Sequence, residues 1–273
     1  MQTFATPEPI SVRIEAGGGS VHLLATERAD TVVQVRPHDE SQSSDVWAAE
    51  HVRIDFHDGR LVVSGPKRGV PRFRSGATDI EVALPSGSRL YATMASADLR
   101  AEGEFADVRV SAASGDVEVD VITGKVKATN ASGSINVHTV AGYASIATAS
   151  GAVRVDNLEG DLKFKAASGS LSVDTLRGNI KSRTASGSVI VEAGVRGTVS
   201  AHTSSGEVAV GIPAGTAVRF DISTGSGVVT NRLQSAEGPA PDDETLVLQV
   251  RSGSGDVHIH RDPAGELVAQ AAT

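Results

Sequence analysis

Apolar residues recur along this chain in short alternating runs set at a fixed spacing. Val117 and Val119, Ile135 and Val137, Val153 and Val155, Leu171 and Val173, Val189 and Val191, and Val208 and Val210 each fall two and four places after the glycine of a Ser-Gly pair. The pairs stand at Ser114-Gly115, Ser132-Gly133, Ser150-Gly151, Ser168-Gly169 and Ser186-Gly187, a period of eighteen residues. Ser96-Ala97 extends the series backward, and Ser205-Gly206 extends it forward with one extra residue. Midway between the pairs come Gly124, Gly142, Gly160, Gly178 and Gly197, followed by a looser alternation: Val126 and Ala128, Ala144 and Ile146, Leu162 and Phe164, Ile180 and Ser182, Val199 and Ala201. Alternation at period two predicts a strand with one buried face. Its repetition at a fixed longer period predicts a solenoid.

The corners of the coil differ. Seven places after the first glycine stands Ile122, Val140, Leu158 or Leu176; seven after the second stands Ala131, Ala149, Ala167 or Ala185. One corner is bulky and the other is a tight Ala-Ser-Gly turn, where glycine gives backbone freedom and keeps a side chain off the coil below. A hexapeptide helix needs a small or branched apolar residue every six positions, and stepping from Val117 meets Thr123 and Thr129. A calcium-bound roll needs Gly-Gly-x-Gly-x-Asp to supply its ligands. Here the residue after the first glycine is Asp116, Ser134, Ala152, Ser170, Ser188 or Glu207, which makes no ligand ladder. The pattern therefore predicts an all-β fold, a metal-free β-solenoid with eighteen-residue coils made of two nine-residue halves. With coils about 4.8 Å apart, six of them make a rod roughly 30 Å long.

The flanks are β-rich too. Ile10, Val12 and Ile14, then Val21 and Leu23, then Val33 and Val35 alternate like strands, and Val52 to Phe56 faces Leu61 and Val63 across an Asp58-Gly59 turn, as in an antiparallel hairpin. Ser43 to Glu50 is the helical candidate, and its Trp47 is expected to cover one end of the rod. The expected organisation is an N-terminal β-hairpin and capping region over 1–79, a solenoid over 80–262 with a polar, acidic loop at 234–245, and a tail at 263–273.

The opening Phe4-Ala5-Thr6-Pro7-Glu8-Pro9-Ile10, the Leu84-Pro85-Ser86-Gly87 entry, the Ser-Gly-x-Val-x-Val rungs and the closing Gly253-Ser254-Gly255-Asp256-Val257-His258-Ile259 together resemble a known family. The chain is similar to the bacterial β-strand-repeat proteins labelled putative adhesins, a domain family of unknown function frequent in actinobacteria. The resemblance spans nearly the whole chain and implies a single-stranded right-handed β-solenoid. It supplies no catalytic residues.

Composition narrows the function classes. A net charge of -8 argues against non-specific binding to nucleic acid or anionic membrane. The chain has no cysteine, hence no disulfide, thiol nucleophile or cysteine-based zinc site. Met1 to Glu15 lacks the apolar core of a signal peptide and no stretch approaches a membrane span, so a cytoplasmic location is expected. Outward positions on the first-half strands carry Asp116, Glu118, Asp120, Asp156, Asp174, Glu192 and Glu207 against Arg154. Those on the second-half strands carry Lys125, Lys127, Lys163, Lys165, Lys181 and Arg183 against Asp161. One side should be acidic and the other basic, and the six basic residues are the candidate partner-binding surface.

The remaining chemistry is sparse. The acidic trio at 116–120 lacks the aromatic platforms that a glycan-cleaving solenoid sets around its carboxylates. His258 and His260 point the same way, but spacing fixes no third metal ligand. Lys67, Arg68, Arg72 and Arg74 surround Phe73 in a solvated loop. No cofactor and no enzymatic activity are expected. The sequence points to an interaction scaffold whose partner is a protein or envelope component, oligomeric at most and not filamentous. The alternatives are a self-assembling, bactofilin-like cytosolic polymer and, more remotely, a glycan-active enzyme.

Overall fold

Strand after strand shows the alternation of buried and exposed residues that the repeat demands. In the computed structural model, which describes residues 1–66, 76–233 and 243–261, the chain is an all-β, right-handed β-solenoid. The basic loop around Phe73, residues 234–242 of the acidic loop and the tail 263–273 lie outside the described residues. The chain divides into two compact units, Met1–Val137 and His138–Thr273.

The first unit holds β1 (Gln2–Ala5), β2 (Ser11–Thr26), β3 (Asp30–Pro37), α1 (Ser43–Glu50), β4 (Arg53–His57), β5 (Arg60–Ser64), β6 (Thr78–Pro85), β7 (Ser88–Ala112), β8 (Val117–Ile122) and β9 (Lys125–Asn130); β10 (Ile135–Val140) runs across the division. Parallel coiling reaches further toward the amino terminus than the glycine repeat does. The long β2 lies parallel to β5 and β6 on one side and to β7 on the other. Its Val12, Ile14, Val21 and Leu23 are fully buried. The hairpin expected at Asp58-Gly59 is β4–β5. Beyond it the sheets end in antiparallel strands, β4 on β5 and β1 on β3 on β6. Phe4 of β1 and Phe56 of β4 meet with ring centroids 5.0 Å apart. The helix packs on β3 and β6 through buried Ala48, and Asp45 accepts a hydrogen bond from the Ala77 N–H at 3.0 Å. Trp47, expected as a plug, is only half-buried and stacks on His51 at 4.2 Å.

The second unit holds β11 (Tyr143–Thr148), β12 (Val153–Leu158), β13 (Asp161–Ala166), β14 (Leu171–Leu176), β15 (Asn179–Thr184), β16 (Val189–Gly194), β17 (Gly197–Thr203), β18 (Val208–Ile212), β19 (Thr216–Thr224), β20 (Val229–Asn231), β21 (Glu244–Ser252) and β22 (Val257–Arg261). Odd-numbered strands build one parallel sheet and even-numbered strands the other, with Val155, Leu158, Phe164, Leu171, Val173 and Leu176 fully buried between them. Gly178 has to be glycine, since a Cβ there would collide with the backbone carbonyl of Gly160 in the coil below. A hydroxyl three residues before the corner glycine braces the turn: Thr148 Oγ1 accepts from the Gly151 N–H at 2.9 Å, and Thr203 Oγ1 from that of Gly206 at 2.8 Å.

The last coils are out of chain order. β21 lies between β17 and β19, and β22 lies between β18 and β20. The chain passes over one coil position, forms the outermost coil with β19 and β20, then returns to fill the gap.

Candidate functional site

The two strand faces differ in how their charges are held. On the acidic side, carboxylates serve the fold. In the first unit Asp98 accepts the Asp116 N–H at 2.8 Å, and Asp116 in turn accepts the N–H and O–H of Ser134 at 2.7 and 2.8 Å. These bonds from Ser134 hold the Asp116 carboxyl below the usual range. Asp120 accepts the Gly103 N–H at 3.2 Å, and Glu118 lies 3.7 Å from Arg100.

The second unit repeats the theme. Arg154 bridges Asp156, at 3.1 Å, and Asp174, while His138 bonds the other Asp156 oxygen at 2.9 Å. Burial pushes Asp156 up, but the hydrogen bonds from His138 and Arg154 outweigh it and hold its pKa low. Glu207 lies 3.8 Å from His258. Glu192 is exposed. His260 stands abreast of Gly211 on the neighbouring strand. Among the described residues, no three or more His, Cys, Asp or Glu side chains gather where a metal could sit.

The basic side is arranged otherwise. In the first unit Lys125 and Lys127 are exposed on β9, and Lys127 stands abreast of Arg109, whose guanidinium lies 5.9 Å above the Tyr91 ring. In the second unit Lys163 stands directly abreast of Lys181, and Lys165 abreast of Arg183, all four exposed. Strands sit about 4.8 Å apart, so each pair sets two like charges side by side. Asp161, on the same face, accepts the Asn179 amide at 2.8 Å.

Besides Arg109, both His202 and Arg251 of this face lie outside the sequence-derived set. Arg183 stands abreast of His202, and His202 abreast of Arg251. The inserted β21 brings Arg251 there, out of chain order. The rung arithmetic could have found both: Arg251 lies four places before Gly255, as His202 lies before Gly206, Arg183 before Gly187 and Lys165 before Gly169.

No curated protein matches the sequence. Solved structures do. One, named a putative adhesin from Bacteroides fragilis NCTC 9343, shares 10% identity over 94% of this chain and 95% of its own, with a TM-score of 0.47. Another, named a putative lipid binding protein from Parabacteroides distasonis ATCC 8503, shares 12% identity over 94% and 95%, with a TM-score of 0.45. The profile of the family described as Toastrack DUF4097 matches residues 12–262, from the first buried residue of β2 past the last of β22, and to that family of β-strand-repeat proteins the chain belongs.

Proposed function

We propose that the protein acts by binding and not by catalysis, as a β-solenoid scaffold whose basic strand faces hold an acidic protein or envelope component. The residues are Lys125 and Lys127 on the first unit and Lys163, Lys165, Lys181 and Arg183 on the second. The observation that carries this reading is the side-by-side setting of Lys163 with Lys181 and of Lys165 with Arg183. Like charges directly opposite on neighbouring strands are destabilising. Among the described residues, no carboxylate forms an ion pair with any of the four. Folding gains nothing from the arrangement, whereas an anionic partner relieves it. On the acidic side Asp156, Asp174 and Glu192 also stand abreast, but there Arg154 and His138 are bonded among them, and Asp116 and Asp120 brace neighbouring coils.

The test is capture from native lysate with the intact chain and with a variant carrying Gln at all six positions. Melting should hardly change, because exposed charges contribute little to folding. Binding should weaken and lose its salt sensitivity, since screened attraction is what these residues supply. A neutralised chain that holds its partner as tightly as the parent at every salt concentration overturns the reading.

A second reading, end-to-end assembly, draws support from the outermost coil of the second unit. Its Phe220 and Val229 stand 46% and 45% exposed, at positions that face inward in every other coil. Open sheet edges with apolar side chains invite pairing. Concentration-dependent light scattering that Phe220→Asp abolishes would favour it.

A further inference from the structure

The outward row that carries Lys165 and Arg183 runs on through His202 and Arg251 to Ser223, each abreast of the next. Two residues further along each strand lies a second row, at the corner of the coil. There Ala185 gives way to Ser204, and the side chain is absent at Gly253 and Gly225, which lie against the carbonyls of Ser204 and Gly253. Regular corners put Ala there. Beside this corner lies a shallow, open cleft of 370 Å³ lined by Arg183, His202, Arg251, Ser204, Ser223 and Ser252 among others, and no lining residue carries a carboxylate.

The donors are of two kinds. Arg251 is fixed: its two terminal nitrogens bond the two carboxylate oxygens of Asp221 at 2.9 and 2.7 Å, a fork that holds the guanidinium plane still. Asp221, kept ionised by that hydrogen bond and charge, lies outside the lining. Arg183, two strands away in the same row, has no ion-pair partner among the described residues and is free to turn toward a ligand. Between them stands the His202 ring, with the hydroxyls of Ser204, Ser223 and Ser252 beside the row, the last already accepting from the Gly255 N–H at 2.8 Å. A planar carboxylate can be satisfied by one guanidinium fork, whereas donors spread around a cleft match an acceptor whose oxygens point in several directions.

We propose that this cleft is a site for a tetrahedral oxyanion, a phosphate or sulfate group borne by the acidic partner. The identity of the bearer rests on the binding function proposed above; the cleft itself does not.

The experiment is a titration of the full chain with inorganic phosphate, inorganic sulfate and acetate, at constant ionic strength in chloride, followed by amide chemical shifts. Phosphate and sulfate should move a confined set of amides near residues 183–184, 202–204, 223 and 251–253, with acetate at least tenfold weaker. Arg183→Gln should weaken oxyanion binding at least tenfold while melting with the parent. Arg154→Gln, on the other sheet, should not change it. Because Arg251→Gln also strands Asp221, the Arg183 variant decides the matter. Glycerol phosphate against methyl sulfate then tells a phosphate-bearing from a sulfated source by the tighter of the two. Shifts spread evenly over residues 163, 165 and 181 as well, or an Arg183 variant that binds like the parent, overturn the cleft and leave the strand-face reading standing. Loss of partner capture in the Lys163, Lys165 and Lys181 variants separates that reading from this one.

Discussion

Phe220 stands directly abreast of Leu248 on the neighbouring strand, yet Leu248 is fully buried and Phe220 is 46% exposed. The two positions are equivalent in the coil. They differ because β21 has a coil on both sides and β19 has one, so a side chain aimed along the same inward direction finds a partner layer in one case and solvent in the other.

Truncation should expose that difference. Leu248→Ala is expected to cost about 2–5 kcal/mol, the range for a leucine removed from a packed core. Phe220→Ala should cost far less despite removing more atoms, because much of the ring is already in water. Denaturant midpoints of the two variants check this. Equal losses would mean that the ring is covered by something beyond the described coils.

A hydroxyl sits where the second sheet row wants an apolar group. Ser182 is 1% exposed between Phe164 and Ala201 in register, and its Oγ has no hydrogen-bond partner. A buried unsatisfied polar atom costs roughly 1–3 kcal/mol, and removing it cleanly recovers part of that. Ser182→Ala should therefore raise the stability of the second unit, read as a higher denaturant midpoint at an unchanged slope. A fall in midpoint would show that the hydroxyl is bonded, by an ordered water for instance.

The first unit carries a pH-sensitive clasp. His38 Nδ1 lies 2.9 Å from Asp79 Oδ1, which also accepts from the Ser20 N–H and O–H at 3.1 and 2.7 Å. The hydrogen bond to Asp79 and its charge raise the His38 pKa above 6.5, with Asp45 and Asp39 adding smaller pulls. Burial pushes Asp79 up, but His38 and Ser20 outweigh it and hold it below 3.8. A raised histidine stabilises fully below its unfolded value and loses that contribution as pH rises through the folded value. A depressed aspartate stabilises above its unfolded value and loses it as pH falls through the folded one. The clasp is thus complete between about pH 4 and 6.5. Imidazole shifts should titrate above 6.5, and Asp79→Asn should bring them back down; an unmoved titration would remove Asp79 as the cause.

Much of this architecture was legible from Val, Ile and Leu at two and four places after each Ser-Gly, because a coil of fixed length repeats the same burial at the same position. Legibility failed where the chain leaves the arithmetic. In β2 Gly18-Gly19 takes the corner place without the serine, abreast of Ser96-Ala97 and with Val21 and Leu23 two and four places on, so its position as a coil between β6 and β7 shows in register more than in motif. The insertion of β21 between β17 and β19 is likewise set by pairing of distant segments, and with it the placement of Arg251 beside His202. The meeting of Phe4 with Phe56 was not legible either, because only antiparallel edge strands bring the two rings together. The charges were read correctly as outward, but their roles were not visible: that Asp116 braces Ser134 while Lys163 braces nothing depends on backbone geometry.

The tension on the basic face is itself measurable. Lys163 and Lys181 stand abreast and exposed, so a double-mutant cycle to Gln should return a repulsive coupling of about 0.2–1 kcal/mol at low salt, the size found for directly opposed side chains. At 1 M salt, where the screening length falls to about 3 Å, the coupling should vanish. Lys163→Glu should turn the pair attractive and raise the melting temperature slightly. If the coupling is zero at every ionic strength, the two ammonium groups have swung apart into water, the face carries no stored repulsion, and the argument that an anionic partner relieves it loses its footing.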